Sequence, residues 1–208
     1  IQDYQRGIIL GSQTFRKGTV QTLIPLRQGQ LKITRSKFYR ISGETTQHMG
    51  VLPDISFPGM IDISEIGEDA LDNALPWDTI RPVLHRKGGQ IKRFITQLEK
   101  MHDTRVLTNA DYQYRLNQIK KIEENRQQSL VSLNEKQRKQ QQSEFDDWQL
   151  TLENTRREAK GLKKITSLEE LDDTERKESS SDDPYLMEGA YILSDFINLS
   201  DKQVAQQL

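Results

Sequence analysis

Residues 19–41 read TVQTLIPLRQGQLKITRSKFYRI and contain two runs of strand-forming residues. β-Branched and aromatic side chains, which favour strands, recur through 19–26 and through 31–41. In the second run four apolar residues share one parity, as they do when one face of a strand is packed, namely Leu31, Ile33, Tyr39 and Ile41. Pro25 and the Arg-Gln-Gly segment at 27–29 end the first run. The stretch therefore predicts two strands separated by a turn.

Shorter apolar segments flank these two strands. Residues 7–11, Gly-Ile-Ile-Leu-Gly, form an apolar run between glycines that is typical of a buried strand. Residues 50–55 predict a turn that leads into a last short strand. Residues 61–84 look irregular, and Pro76 cannot continue a helix. We call 61–84 the acidic strap, because seven acids and no base lie between Asp54 and Ile80.

Apolar residues return at helical spacing from about residue 85 onwards. A capped helix start is predicted at Asn109, and 109–160 is expected to hold two or three helices or one long helix. Asp183-Pro184 supplies an N-cap and a proline at the first position of the last helix. That helix carries an apolar stripe that we expect to be buried, formed by Leu186, Ala190, Leu193 and Ile197.

These patterns predict an α+β fold, with a partial β-rich piece followed by a mainly helical domain. The expected divisions are 1–60, the strap at 61–84, and a helical domain at 85–208 that contains a linker near 172–183. Serines and acids dominate that linker. With 208 residues, 34% of them hydrophobic, the chain suits two small domains better than one large core.

Composition excludes several kinds of function. There is no cysteine, so disulfides, thiol catalysis and cysteine-ligated metals are excluded. No run approaches the ~18 apolar residues of a membrane span. The net charge of -1 conceals basic residues in 1–50 and acids in the strap. The basic block raises nucleic-acid binding as one interpretation, but no zinc-finger, RNP or helix-turn-helix spacing accompanies it. Segments that are solvated or face each other explain it better.

The residues that point to chemistry lie in Phe-Arg-Lys-Gly-Thr-Val-Gln at 15–21. Lys17 falls on a turn before a strand, beside Phe15 and Val20. Partial shielding from water favours the neutral amine, which can take a proton from a serine hydroxyl. Gln21 lies four residues further along, where its amide oxygen could orient the lysine. From the residues alone, a solvated surface lysine remains the alternative.

The segments 15–21, 29–34, 37–40 and 50–55, in this order, resemble the tail-specific (carboxy-terminal processing) proteases. These are Ser–Lys peptidases with an α/β catalytic core. Residues 72–80 and the helical tail resemble the long periplasmic branch, which adds a C-terminal helical domain. The resemblance implies that Lys17 is the general base and that Gln21 supports it. No cofactor is expected, and no metal site either, because the three histidines, His48, His85 and His102, lie far apart in the sequence.

The resemblance also locates what this chain lacks. It places the nucleophilic serine, in a Ser-Ala-Ser-Glu type segment, and the PDZ domain before Ile1, so we expect this chain alone to be inactive. Ser12 and Ser36 are interpreted as ordinary strand-edge hydroxyls. Arg16 stands where the family often has glycine, and we expect its side chain to point to solvent. His48 is expected to be a structural turn residue.

Partners and location follow from the resemblance as well. It implies a periplasmic protein associated with the inner membrane, acting on proteins with apolar or unstructured C-termini, among them cell-envelope proteins. A lipoprotein adaptor serves some members, whereas nucleic acid is not an expected partner. An oligomer is compatible with the open edges of a partial sheet. The alternative function is non-catalytic, with 85–208 as a docking or scaffold module that binds an adaptor or substrate.

Overall fold

The computed structural model describes residues 1–61, 66–171 and 183–205, without the side chains of 202–205. The chain divides into two compact units, residues 1–95 and 96–208. All described strands lie in the first unit and almost all helical residues lie in the second, which confirms the α+β expectation. None of the described helices is both long enough and apolar enough to cross a membrane.

The two predicted strands form a hairpin in the first unit. Strand β1 (Leu10–Gly11) precedes it, and β2 (Thr19–Pro25) pairs antiparallel with β3 (Gln30–Lys37). Gly29 closes the turn with a φ of 78°, a conformation that favours glycine. The apolar side chains of the hairpin stay about half exposed, namely Val20, Leu23, Ile24, Leu31 and Ile33.

A second, parallel pair joins β1 to β4 (Ile55–Ser56), with Leu10 opposite Ile55. Ile55 is fully buried, but β1 has only two residues and is half-buried, so the buried strand predicted over 7–11 is wrong in length and in burial. Beside this ladder, the Ile9 amide donates to the Asp54 carboxylate at 2.8 Å, and the Ile9 carbonyl accepts from the Asp54 amide at 2.7 Å.

The described part of the strap, residues 61 and 66–84, belongs to the first unit and is irregular apart from a 3-10 helix at Glu68–Ala70 and an isolated bridge at Thr79. Trp77 contributes little apolar burial to the strap, because 43% of this residue is exposed. Ion pairs and hydrogen bonds hold the strap instead. Asp78 lies 3.1 Å from the Lys37 ammonium, and the Asp78 carbonyl accepts a bond from the Thr45 amide.

The helical part contains α1 (Lys92–Val106), α2 (Ala110–Gln127), α3 (Glu135–Ala159) and α4 (Pro184–Ala205). Region 109–160 thus holds two helices, one of the predicted alternatives. Asn109 caps α2 by accepting from the Tyr112 amide at 3.0 Å, which confirms the predicted start. Asp183 caps α4 through the Tyr185 amide at 2.9 Å. The rest of the linker expected near 172–183 lies outside the described residues.

Helix α4 buries a different face from the predicted one. Leu186, Leu193 and Ile197 are at least half exposed, so the expectation that their stripe is buried is wrong. Glu188 and Ile192 are buried instead. The Glu188 carboxylate accepts from Arg105 Nη2 at 2.8 Å and lies 2.9 Å from His102 Nδ1. A buried carboxylate needs such partners, and α1 supplies them only to this face of α4.

Candidate active site

Lys17 lies in the turn between β1 and β2, at a position fixed by its neighbour Gly18. Gly18 is buried, and a Cβ atom there would lie 2.5 Å from the Gln47 amide nitrogen and 2.5 Å from Thr45 Oγ1. Only glycine fits this approach without displacing the backbone. The close packing holds the turn against residues 45–48, and the main chain of Lys17 is fixed with it.

Residues 45–48 hold the main chain of 16–18 by hydrogen bonds to three successive residues. Such bonds are effective because the groups they satisfy are shielded from water. These bonds involve only the main chain of 16–18, so the Lys17 side chain can still change its conformation. The three bonds are Gly18 N to Gln47 Oε1 (2.9 Å), Thr46 Oγ1 to Lys17 O (2.8 Å) and His48 N to Arg16 O (3.0 Å).

The Lys17 ammonium is held by one hydroxyl and one carboxylate. Nζ lies 2.9 Å from Thr19 Oγ1, and 3.1 and 3.2 Å from the two carboxylate oxygens of Glu68. The Glu68 side chain is 10% exposed and that of Lys17 is 35% exposed. The amine is therefore oriented from one side and open to solvent, or to another reacting group, on the other.

No hydrogen bond joins Gln21 to Lys17 among the described residues. Gln21 is exposed on β2, opposite Thr34 and just after a register shift between Val20 and Gln21. Among the described residues, the hydrogen bonds of Lys17 Nζ go to Thr19 and Glu68. Gln21 and Glu68 do line one cavity of 380 Å³ between the hairpin and the strap. The supporting role of Gln21 stays a prediction.

The Arg16 side chain lies elsewhere than expected. It does not point to solvent, because Nη1 lies 2.7 Å from Asp69 Oδ2 and its side chain is 10% exposed. The Glu68 amide also donates to the Phe15 carbonyl at 3.2 Å. Two adjacent acids of the strap thus meet two adjacent bases of the turn, and these basic and acidic segments face each other.

Sequence reasoning did not find Glu68. The available signal was coarse, namely a stretch with acids and no bases at 54–80 against a basic N-terminal region. Nothing local distinguished Glu68 from its acidic neighbours. His48 is a turn residue, as expected, with a φ of 62°. Ser12 is exposed, and Ser36 is exposed on β3 opposite Val20, which fits their interpretation as ordinary hydroxyls.

Two family models match the chain in succession. Residues 1–57 match Peptidase family S41, and 61–198 match the C-terminal domain of tail specific protease. Lys17 and Gln21 fall in the first match and Glu68 in the second. The site described above is therefore assembled from both matched regions.

Curated relatives agree with the family models. A tail-specific protease of Haemophilus influenzae is 36% identical over 219 residues, which cover 100% of this chain and 31% of that protein. A carboxy-terminal-processing protease of Bartonella bacilliformis is 46% identical over 56 residues, 26% of this chain and 13% of that protein. The chain thus spans less than a third of either relative. It belongs to the tail-specific protease family and combines part of an S41 peptidase region with the family's C-terminal domain.

Proposed function

We propose that this chain is the C-terminal part of a serine endopeptidase that trims or degrades proteins from apolar or unstructured C-termini. Lys17 is its general base. The proposal rests on one observation about Lys17. Hydrogen bonds shielded from solvent fix its main chain, while its amine stays partly accessible. The match of this region to Peptidase family S41 supports the same role.

The proposed reaction is amide hydrolysis through an acyl-enzyme. Neutral Lys17 takes the proton of a serine hydroxyl that precedes this chain in the longer protein, and the serine oxygen attacks the substrate carbonyl. The lysine then gives this proton to the leaving amine. In the second half Lys17 activates water in the same way. Gln21, on the adjacent strand, remains a predicted supporting residue.

The test is Lys17→Ala in the longer protein, assayed on a protein substrate with an apolar C-terminus. We expect proteolysis to fall by at least about 10²-fold, the usual contribution of a general base, with the fold intact. Lys32→Ala is the matched control, because Lys32 is an exposed lysine on β3. Wild-type proteolysis by the Lys17 variant would overturn the proposal. The 208-residue chain alone is expected to cleave nothing.

Location and partners belong to the same proposal. We propose a periplasmic enzyme at the inner membrane that acts on cell-envelope proteins, with a lipoprotein adaptor.

A docking role for the helical domain is a second candidate function. It is favoured by three exposed apolar residues of α4, Leu186, Leu193 and Ile197. Calorimetry with the purified adaptor tests it. Leu193→Asp is expected to weaken binding at least about tenfold, equivalent to 1.4 kcal/mol, and unchanged affinity would count against it.

A further inference from the structure

We propose that Glu68 is a positioning residue for Lys17, acting as the third member of a serine–lysine–glutamate arrangement. The inference rests on the proposed role of Lys17 as general base. It assigns to a carboxylate of the strap the orienting role that the family resemblance gives to Gln21. The strap is thereby part of the catalytic machinery and more than a connection between domains.

The geometry supports an orienting role. Both Glu68 oxygens lie within 3.2 Å of Lys17 Nζ, and Thr19 Oγ1 is 2.9 Å from the same atom. Thr19 also donates to Glu68 Oε1 at 3.3 Å, so the three groups form a closed triangle. Charge-assisted bonds of this kind are stronger and more directional than neutral ones. They restrict where a long, flexible lysine can place its amine.

Glu68 is itself held in place, as an orienting residue must be. Its side chain is largely shielded from solvent, and its amide donates to the Phe15 carbonyl at 3.2 Å. The 3-10 helix Glu68–Ala70 fixes its backbone. The neighbouring Asp69 binds Arg16 at 2.7 Å, which attaches the strap at a second point. The carboxylate is therefore presented to Lys17 by a docked segment.

The charge of Glu68 favours the ammonium form of Lys17, which is the form that the proton transfer produces. To act as the base, Lys17 therefore first loses a proton to solvent on its open side. When the serine O–H bond breaks and a new N–H bond forms on Lys17, the neutral amine becomes an ammonium. A carboxylate 3.1 Å away stabilises that positive charge as it develops, as the acid does in Ser-His-Asp enzymes. The proton then passes to the leaving amine, which restores the neutral lysine. Only the substrate and water are consumed, because hydrolysis of the acyl-enzyme regenerates the serine hydroxyl.

The experiment compares Glu68→Gln with Glu44→Gln in the longer protein, on one peptide substrate. Glu68→Gln is expected to lower kcat at least about tenfold while KM stays within about twofold, because an orienting role acts on the chemical step. Glu44→Gln is the matched control, since it makes the same change at an exposed carboxylate outside the strap. Its kcat is expected to stay within about threefold of wild type. Glu68→Asp, which keeps the charge, is expected to recover part of the loss.

Several outcomes would overturn the inference. They are wild-type or increased kcat in Glu68→Gln, an equal loss of kcat in Glu44→Gln, or a change in KM alone. Thermal unfolding of each variant checks the fold. If Glu68→Gln does not fold, Glu68→Ala takes its place, and a wild-type kcat in Glu68→Ala overturns the inference. Lys17→Ala separates the two proposals. If it abolishes proteolysis while Glu68→Gln does not lower kcat, the role of Glu68 fails and that of Lys17 stands.

Discussion

The side-chain oxygen of Gln47 accepts a 2.9 Å hydrogen bond from the amide of Gly18, the residue that follows the candidate base. Gln47 is completely buried and lies 29 positions further along the chain. The placement of Lys17 therefore depends on a tertiary contact and not on its own turn alone. This contact requires a residue without a Cβ atom at position 18.

Gly18→Ala is predicted to destabilise the first unit. Its Cβ would meet the Gln47 backbone nitrogen at 2.5 Å, and backbone cannot move aside as a flexible side chain can. We expect a loss of about 1–3 kcal/mol, measured by urea unfolding. Gly59→Ala is the matched control, because its Cβ would make ordinary contacts of 3.4 Å or more and should cost less than about 0.5 kcal/mol. Equal stabilities of the two variants would contradict this account.

Glu188→Ala is predicted to destabilise the helical unit strongly. It removes the buried carboxylate that accepts from Arg105 Nε at 3.0 Å and lies beside His102, leaving buried polar groups unpaired. Breaking such a buried pair costs about 3–5 kcal/mol. Thermal unfolding followed by far-ultraviolet circular dichroism measures it. Glu124→Gln, in an exposed pair with Lys121, should change stability by less than about 1 kcal/mol. The prediction would be refuted if Glu188→Ala lost no more stability than Glu124→Gln.

The ion pairs of Asp111 on α2 with α3 lead us to predict that the stability of this contact depends on pH. Burial alone would raise the pKa of Asp111, but hydrogen bonds from Arg156 and Lys160 lower it overall. A lowered folded-state pKa gives stability that is present above the unfolded value, about 4, and lost as pH falls through the folded value. Asp111→Asn should therefore lower the urea midpoint at pH 7, and by less at pH 2.

The control for Asp111 is Asp147→Asn, an exposed aspartate on α3. It is expected to leave the urea midpoint unchanged at both pH values. A difference between wild type and Asp111→Asn that stays constant from pH 7 to pH 2 would show that the carboxylate charge does not stabilise the folded state.

Features set by neighbouring residues could be predicted from the sequence. The hairpin needed only strand-forming runs and a glycine turn, and the caps at Asn109 and Asp183 needed only residues beside their helix starts. Glu68 could not be predicted, because its contact with Lys17 joins residues 51 positions apart. The buried face of α4 was missed for the same reason. Apolar periodicity favoured the Leu193 stripe, whereas partners on α1 hold Glu188 inward.

The most direct test of the central claim measures acyl-enzyme formation in the longer protein. Wild type and Lys17→Ala are mixed with a peptide ester, and the bound acyl group is followed by intact-protein mass spectrometry, with Kd for the peptide measured separately. The account predicts that Lys17→Ala binds the peptide with an unchanged Kd and acylates at least about 10²-fold more slowly. Acylation of Lys17→Ala at the wild-type rate would contradict it.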